Sequence, residues 1–171
     1  MNQAIKAILE RRSTRAYEER KVPLSKLNQV LEAGKMAPSA MNRQIGNILA
    51  VRSKKLVERL KQASLEITGR DCFYGANTMI IVYGPRGDRF TKQDCSCILE
   101  NMFVAATALK LQSCWINQVD DILSNEKAKR LRKSLGIPEE MEIVGTCIVG
   151  YAKDGIIPDP KARKDDFVVI K

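Results

Sequence analysis

Between Cys97 and Leu109 only Glu100, Asn101 and Thr107 are polar. The surrounding segment, 92–111, reads as the longest helix of the chain. A helix that is apolar on nearly all sides must be buried, either in the core or against another subunit. The 171 residues are enough for one domain, 1–171, with a proper core around such a helix. The composition, with 44% hydrophobic and 29% charged residues, is that of a globular chain and not of a disordered one.

Other elements follow from periodicity and punctuation. Ile5, Ile8 and Leu9 have helical spacing within 3–10. Pro23, Ser25 as N-cap, the face Leu27, Val30 and Leu31, and a closing Gly34 mark a second helix. Residues 36–46 form a loop rich in Pro, Ser and Asn, leading into a strand over 47–51. Leu56, Val57 and Leu60 make 54–64 amphipathic, and the apolar run 78–83, stopped by Gly84, is a buried strand. Strands are also expected at 113–117 and 142–151, and a basic helix at 124–135. The tail beyond Ala152 is polar and Pro-punctuated but ends in Phe167, Val168, Val169 and Ile170, a β-like run that needs an edge to pair with. The expectation is a mixed chain of about five helices and four or five strands, with no internal repeat. There is no G-x-G-x-x-G or Walker A motif, so any nucleotide phosphate would have to be held by side chains.

Composition removes several chemistries. The absence of histidine excludes Ser-His-Asp and Cys-His hydrolases and histidine-ligated zinc. Cys72, Cys95, Cys97, Cys114 and Cys147 include no C-x-x-C pair, so no metal site is expected. They read as free, mostly buried thiols of a cytoplasmic protein. No run approaches a membrane span and no signal-peptide core is evident, so neither secretion nor membrane insertion is expected. The net charge of +9 suits nucleic acid, but the cations are dispersed and aromatic residues are few, which argues against that partner.

Three segments carry candidate chemistry. Arg11, Arg12, Ser13 and Arg15 combine guanidiniums and hydroxyls as a phosphate requires, or they merely complement a helix C-terminus. Pro38, Ser39, Asn42 and Gln44 lie in a turn-rich loop whose hydroxyl and amide groups could read the edge of a planar heterocycle or a ribityl chain. Lys161 and Arg163 form a small cationic cluster in the tail, which is either phosphate-binding or a solvated run.

In this order and spacing the segments resemble the FMN-dependent nitroreductase family over essentially the whole chain. The matching pieces are Arg11-Arg12-Ser13-x-Arg15-x-Tyr17, Ala37-Pro38-Ser39-x-x-Asn42-x-Gln44, Phe73-Tyr74-Gly75-Ala76, and Asn101-Met102. Leu111-x-Ser113-Cys114-Trp115-Ile116 and Val149-Gly150-Tyr151, followed by Lys161-x-Arg163, complete the set. One departure is Ile45-Gly46, where the family often has Pro followed by an aromatic residue or Ser.

The resemblance implies an α+β fold, a mixed, mainly antiparallel sheet flanked by helices, in an intertwined homodimer. It implies FMN at the subunit interface and NADH or NADPH as donor, with a ping-pong reduction of nitroaromatic, quinone or similar acceptors. Arg11, Arg12, Ser13 and Arg15 would form one face of the flavin site, with Arg15 near the pyrimidine end. Lys161 and Arg163 would join them at the phosphate, while Pro38, Ser39 and Asn42 would come from the other subunit. Trp115, Ile116 and Asn117 would lie against the isoalloxazine. No side chain is expected to act as a dedicated catalytic group, because a flavin carries its own redox chemistry. The alternative is a flavin-binding or flavin-remodelling protein of the same fold without nitroreductase activity.

Overall fold

In a computed structural model that describes residues 1–164 and 166–170, the alternation along one strand decides the layering. Strand β2 (Met79–Pro85) is buried along most of its length. Its successive side chains point to opposite faces. Met79 and Ile81 enter one core cluster, and Ile80 and Val82 enter the other. A strand apolar on both faces needs a helical layer on each side. One layer contains α3 (Lys54–Thr68), α5 (Val119–Ser124) and α6 (Lys129–Leu135), the other α2 (Leu24–Lys35) and α4 (Thr91–Ala108).

Between them lies a four-stranded sheet of order β1-β2-β4-β3, with β1 Asn47–Val51, β3 Gln112–Ile116 and β4 Met141–Gly150. All three ladders are antiparallel. The fold is therefore α+β, as the resemblance implied. The one parallel pairing among the described residues is an isolated bridge between Ser13 and Ser113.

Helix α4 occupies the position its composition demands, against the sheet and α2. Cys95, Leu99, Met102, Phe103 and Ala106 are buried, while Cys97 and Glu100 face outward, so burial in one chain is one-sided. Gly34 lies inside α2 instead of closing it. A Cβ there would come within 2.9 Å of Met102 Cγ, so the glycine permits the close approach of α2 and α4.

Several boundaries differ from the sequence reading. Helix α2 begins at Leu24 with Pro23 at its cap, and Ser25 caps nothing. Strand β2 runs through Gly84 to Pro85, because Gly84 pairs with Glu142 and has Thr91 packed against it. The basic helix expected over 124–135 is broken. Asn125 ends α5 and its side chain accepts from Lys127 N–H, and α6 starts at Lys129. The run Phe167–Val168–Val169–Ile170 forms no strand and is exposed. Helix α1 (Gln3–Glu10) buries only Ala7, leaving Ile5, Ile8 and Leu9 more than half exposed. One chain thus carries two apolar surfaces that it does not cover itself.

Candidate functional site

The segment after α1 runs along the free edge of β3. Thr14 N–H donates to Ser113 O at 3.0 Å, and Glu18 N–H donates to Tyr151 O at 3.0 Å. Tyr17 packs over Gly150, where a Cβ would lie 2.9 Å from its ring. This edge pairing sets the positions of Arg11, Arg12, Ser13 and Arg15. They line a cavity of about 610 Å³ with Ile8, Leu9 and the tail residues 158–161 and 163. Two cationic clusters nearly 150 residues apart in sequence therefore meet in one cavity (11 to 161 is a separation of 150).

The cations are not equivalent. Arg12 Nη1 donates to Leu9 O at 2.7 Å and to Arg11 O at 2.8 Å, so it complements the end of α1. That is the helix-terminus alternative read from the sequence, realised at one arginine of the cluster. Arg15 makes only a 3.4 Å hydrogen bond to Ser13 O. Among the described residues, none of Arg11, Arg15, Lys161 and Arg163 has a carboxylate within 4.0 Å. Among the described residues, Asp159 is the single carboxylate in the wall. Five cations and a Ser hydroxyl against one carboxylate are a donor set for a dianion such as a phosphate monoester.

Just below lies Cys114 of β3. Burial pushes its thiol up, and Arg15, Ser13 and Arg11 partly counter that shift. The cationic segment and β3 are therefore neighbours. Further along β3, Trp115 is 37% exposed, tilted against Phe103 with ring centroids 6.0 Å apart. It covers Gly145, where a Cβ would lie 2.7 Å from the indole. Trp115 and Asn117 line a cavity of about 380 Å³ with Lys92, Asp120, Asp121 and Glu142. Ile116 is different: its side chain is buried in the core, so only its backbone is available to a ligand.

Pro38, Ser39 and Gln44 line a third cavity, of about 490 Å³, between α2, β1 and α4. Asn42 is exposed in the same loop. In a single chain this loop does not share a wall with the arginine cavity. The thirteen residues expected at the site thus fall into three groups: the arginine segment with the tail, residues 115–117 along and after the adjoining β3, and the Pro38 loop apart from both. Sequence reading missed Asp88 and Asp94, which hold the Pro38 loop from α4 and its leading turn. Asp88 carries a turn signal, since its carboxylate accepts Phe90 N–H at 2.9 Å in an Asx turn just ahead of α4. No group of metal-ligating residues occurs among the described residues, and none of the helices is long and apolar enough to cross a membrane.

Residues 8–71 and 68–151 match the profile of the Nitroreductase family. A protein of Archaeoglobus fulgidus named as an NADH dehydrogenase/NAD(P)H nitroreductase is 31% identical over 159 residues, covering 90% of this chain and 88% of its own. A crystal structure of a nitroreductase with bound FMN from Bacteroides fragilis superposes with a TM-score of 0.88 at 33% identity, covering 99% of each chain. Another, from Desulfitobacterium hafniense and also with bound FMN, gives 0.89 at 25% identity, covering 99% of this chain and 98% of that one.

Proposed function

Because the chain belongs to the nitroreductase family, we propose that it is an FMN-dependent oxidoreductase. It would take electrons from NADH or NADPH and deliver them to a nitroaromatic, quinone or similar acceptor, working as a homodimer. The observation that carries this reading is the cavity uniting Arg11, Ser13 and Arg15 with Lys161 and Arg163. Its donors suit the terminal phosphate of FMN, and relatives of the same fold hold FMN. FMN, when bound, would supply the hydride and electron-transfer chemistry between the nicotinamide and the acceptor.

The chain's own residues bind and orient. Arg11, Lys161 and Arg163 are assigned to the phosphate, and Ser13 adds a neutral donor. Arg15 presents a positive charge beside β3 that no carboxylate of the described residues neutralises within 4.0 Å. Trp115 and the backbone of Ile116 and Asn117 form the wall along β3, and Pro38, Ser39, Asn42 and Gln44 are assigned to the flavin of the partner subunit. No side chain is assigned a proton-transfer role, and the chain has no histidine to take one.

The test is the visible spectrum of the purified protein, reconstituted with FMN, before and after anaerobic NADH or NADPH. A bound flavin that bleaches is expected; a protein that retains no FMN overturns the reading, and one that binds FMN without bleaching is a flavin carrier. Arg11→Ala should weaken FMN by about 1.5–3 kcal/mol, the range for a charge-assisted hydrogen bond, measured by flavin fluorescence quenching.

Arg15→Ala should bind FMN with a smaller loss but lower its midpoint potential, since reduction adds negative charge and a nearby cation favours it. Each 1 kcal/mol of lost attraction corresponds to about 20 mV for a two-electron couple. Arg15→Lys should restore much of the shift, because a point charge is enough. Spectroelectrochemical titration of the three proteins checks this, and an unchanged potential in Arg15→Ala removes the electrostatic role.

A further inference from the structure

The loop that carries Ser39 and Asn42 has an unusual backbone. Met41, Asn42 and Gln44 all have positive φ, at 51°, 53° and 52°. The left-handed region is disfavoured for L residues, least so for Asn. Such conformations persist only where the surroundings over-determine them, and they gather at ligand sites. The loop must therefore be held by contacts that can be identified.

Besides the backbone turns Asn42 N–H to Ser39 O and Arg43 N–H to Ala40 O, four contacts involve side chains, and they differ in what they can fix. Ser39 Oγ accepts Gln44 N–H at 3.0 Å, and Gln44 Nε2 donates to Asn42 Oδ1 at 2.9 Å. Both lie within the loop and give it shape but no fixed place on the fold. Arg43 pairs with Asp88 at 2.6 Å, but with side chains 40% and 20% exposed, so solvent screens the pair. The fourth is different. Ala40 N–H donates to Asp94 Oδ1 at 3.0 Å. Asp94 is 4% exposed and lies in the first turn of α4, the helix that the sheet and α2 hold in place.

Asp94 Oδ2 has no hydrogen-bond partner among the described residues, so the bond to Ala40 is the one that its carboxylate accepts there. The buried carboxylate lies in the first turn of α4, where the helix N-terminus favours negative charge. A desolvated, charge-assisted bond from a fixed helix is the strongest single constraint on where this loop sits.

We propose that Asp94 is a positioning residue for the flavin site, holding the loop 39–44 on α4 so that Ser39 and Asn42 present their polar groups to the partner subunit's flavin ring. The inference rests on the assignment of that loop to FMN made above. Asp94 lines the cavity of Pro38, Ser39 and Gln44 and not the arginine cavity. Its role is therefore exerted on the ring and not on the phosphate, which the arginine cavity holds elsewhere in the chain.

The experiment has two parts. In the native protein, amide hydrogen exchange should show the Ala40 N–H protected although it lies at the start of an exposed loop; a fast-exchanging Ala40 amide overturns the proposal without any variant having to fold. In the full-length dimer, FMN affinity is compared for native protein, Asp94→Ala and Asp94→Asn, with inorganic phosphate as a probe of the arginine cavity. Asp94→Ala should bind FMN at least tenfold more weakly while binding inorganic phosphate as the native protein does. Asp94→Asn, whose carboxamide oxygen can still accept the Ala40 N–H, should stay within about threefold of native. Equal FMN affinity in Asp94→Ala, or equal losses for FMN and inorganic phosphate, overturns the proposal. Failure of the native protein to bind FMN overturns the functional reading itself, and Ala40 protection would then report a tether that is purely structural.

Discussion

Deletion of residues 158–171 should cost the protein both its flavin and its dimeric state. The deleted segment carries Lys161 and Arg163, which meet Arg11 and Arg15 in the proposed phosphate cavity. Two charge-assisted contacts at about 1.5–3 kcal/mol each give a loss of about 3–6 kcal/mol, or roughly a hundredfold to ten-thousandfold in FMN affinity. The segment also carries Phe167, Val168, Val169 and Ile170, all at least 71% exposed, and α1 leaves Ile5, Ile8 and Leu9 uncovered.

Burying a large apolar side chain contributes about 1.5–3 kcal/mol, so seven such residues are a strong drive to association. The proposed cover is a second copy of the chain, which would also bring the Pro38 loop of one chain to the arginine cavity of the other. Light scattering and FMN titration of the truncated protein test both consequences. The double variant Lys161→Ala/Arg163→Ala separates them, since it should lose flavin yet remain dimeric. A full-length protein that is a stable, FMN-loaded monomer at micromolar concentration overturns the dimer.

The largest effect on stability alone is expected at Arg132. This guanidinium is 5% exposed and its Nη2 donates to Pro138 O at 2.7 Å and to Met141 O at 2.6 Å. It thereby joins the end of α6 to the start of β4. Nη1 reaches Ser124 Oγ at 3.4 Å and lies 4.0 Å from Asp120 Oδ1, the oxygen that accepts Ile143 N–H at 3.0 Å. Arg132→Met keeps most of the stem but removes the two short guanidinium bonds. Among the described residues, Pro138 O is left with only the 3.3 Å bond from Met141 N–H, and Met141 O with only the 3.2 Å bond from Arg86 Nη2. Each lost bond from a charged donor is worth about 1.5 kcal/mol or more. A loss of about 2–4 kcal/mol in urea unfolding is expected, with the FMN phosphate contacts untouched. A change below about 0.5 kcal/mol would mean that water replaces the guanidinium without penalty.

The strands were the most legible part of the chain, because short continuous apolar runs bounded by turn residues have the length of a buried strand. The expected strand at 47–51 coincides with β1, and 142–151 is shifted by one residue from β4. Helix ends were less legible. Gly34 and Gly84 look like terminators in one dimension, but each is needed where another element passes close. The basic run over 124–135 conceals a break because Asn125 stops one helix and starts the next through its side chain, a local choice that composition does not reveal.

The sequence by itself determined the chemistry available: a largely apolar helix that needed cover, strands that needed helices on both faces, no histidine, and cationic clusters at the two ends of the chain. It also distinguished the residue types that suit phosphate from those that suit a ring edge. Only the tertiary structure decided which cations are free to serve. Arg12 is tied to the end of α1, while Arg11 and Arg15 meet Lys161 and Arg163 because residues 13–18 pair along β3 and β4. It alone decided that the Ile116 side chain points into the core, and that a carboxylate on α4 holds a loop more than fifty residues earlier. These outcomes depend on strand register and helix packing, which sum many weak contacts across the chain, whereas residue type is a local property that can be read one position at a time.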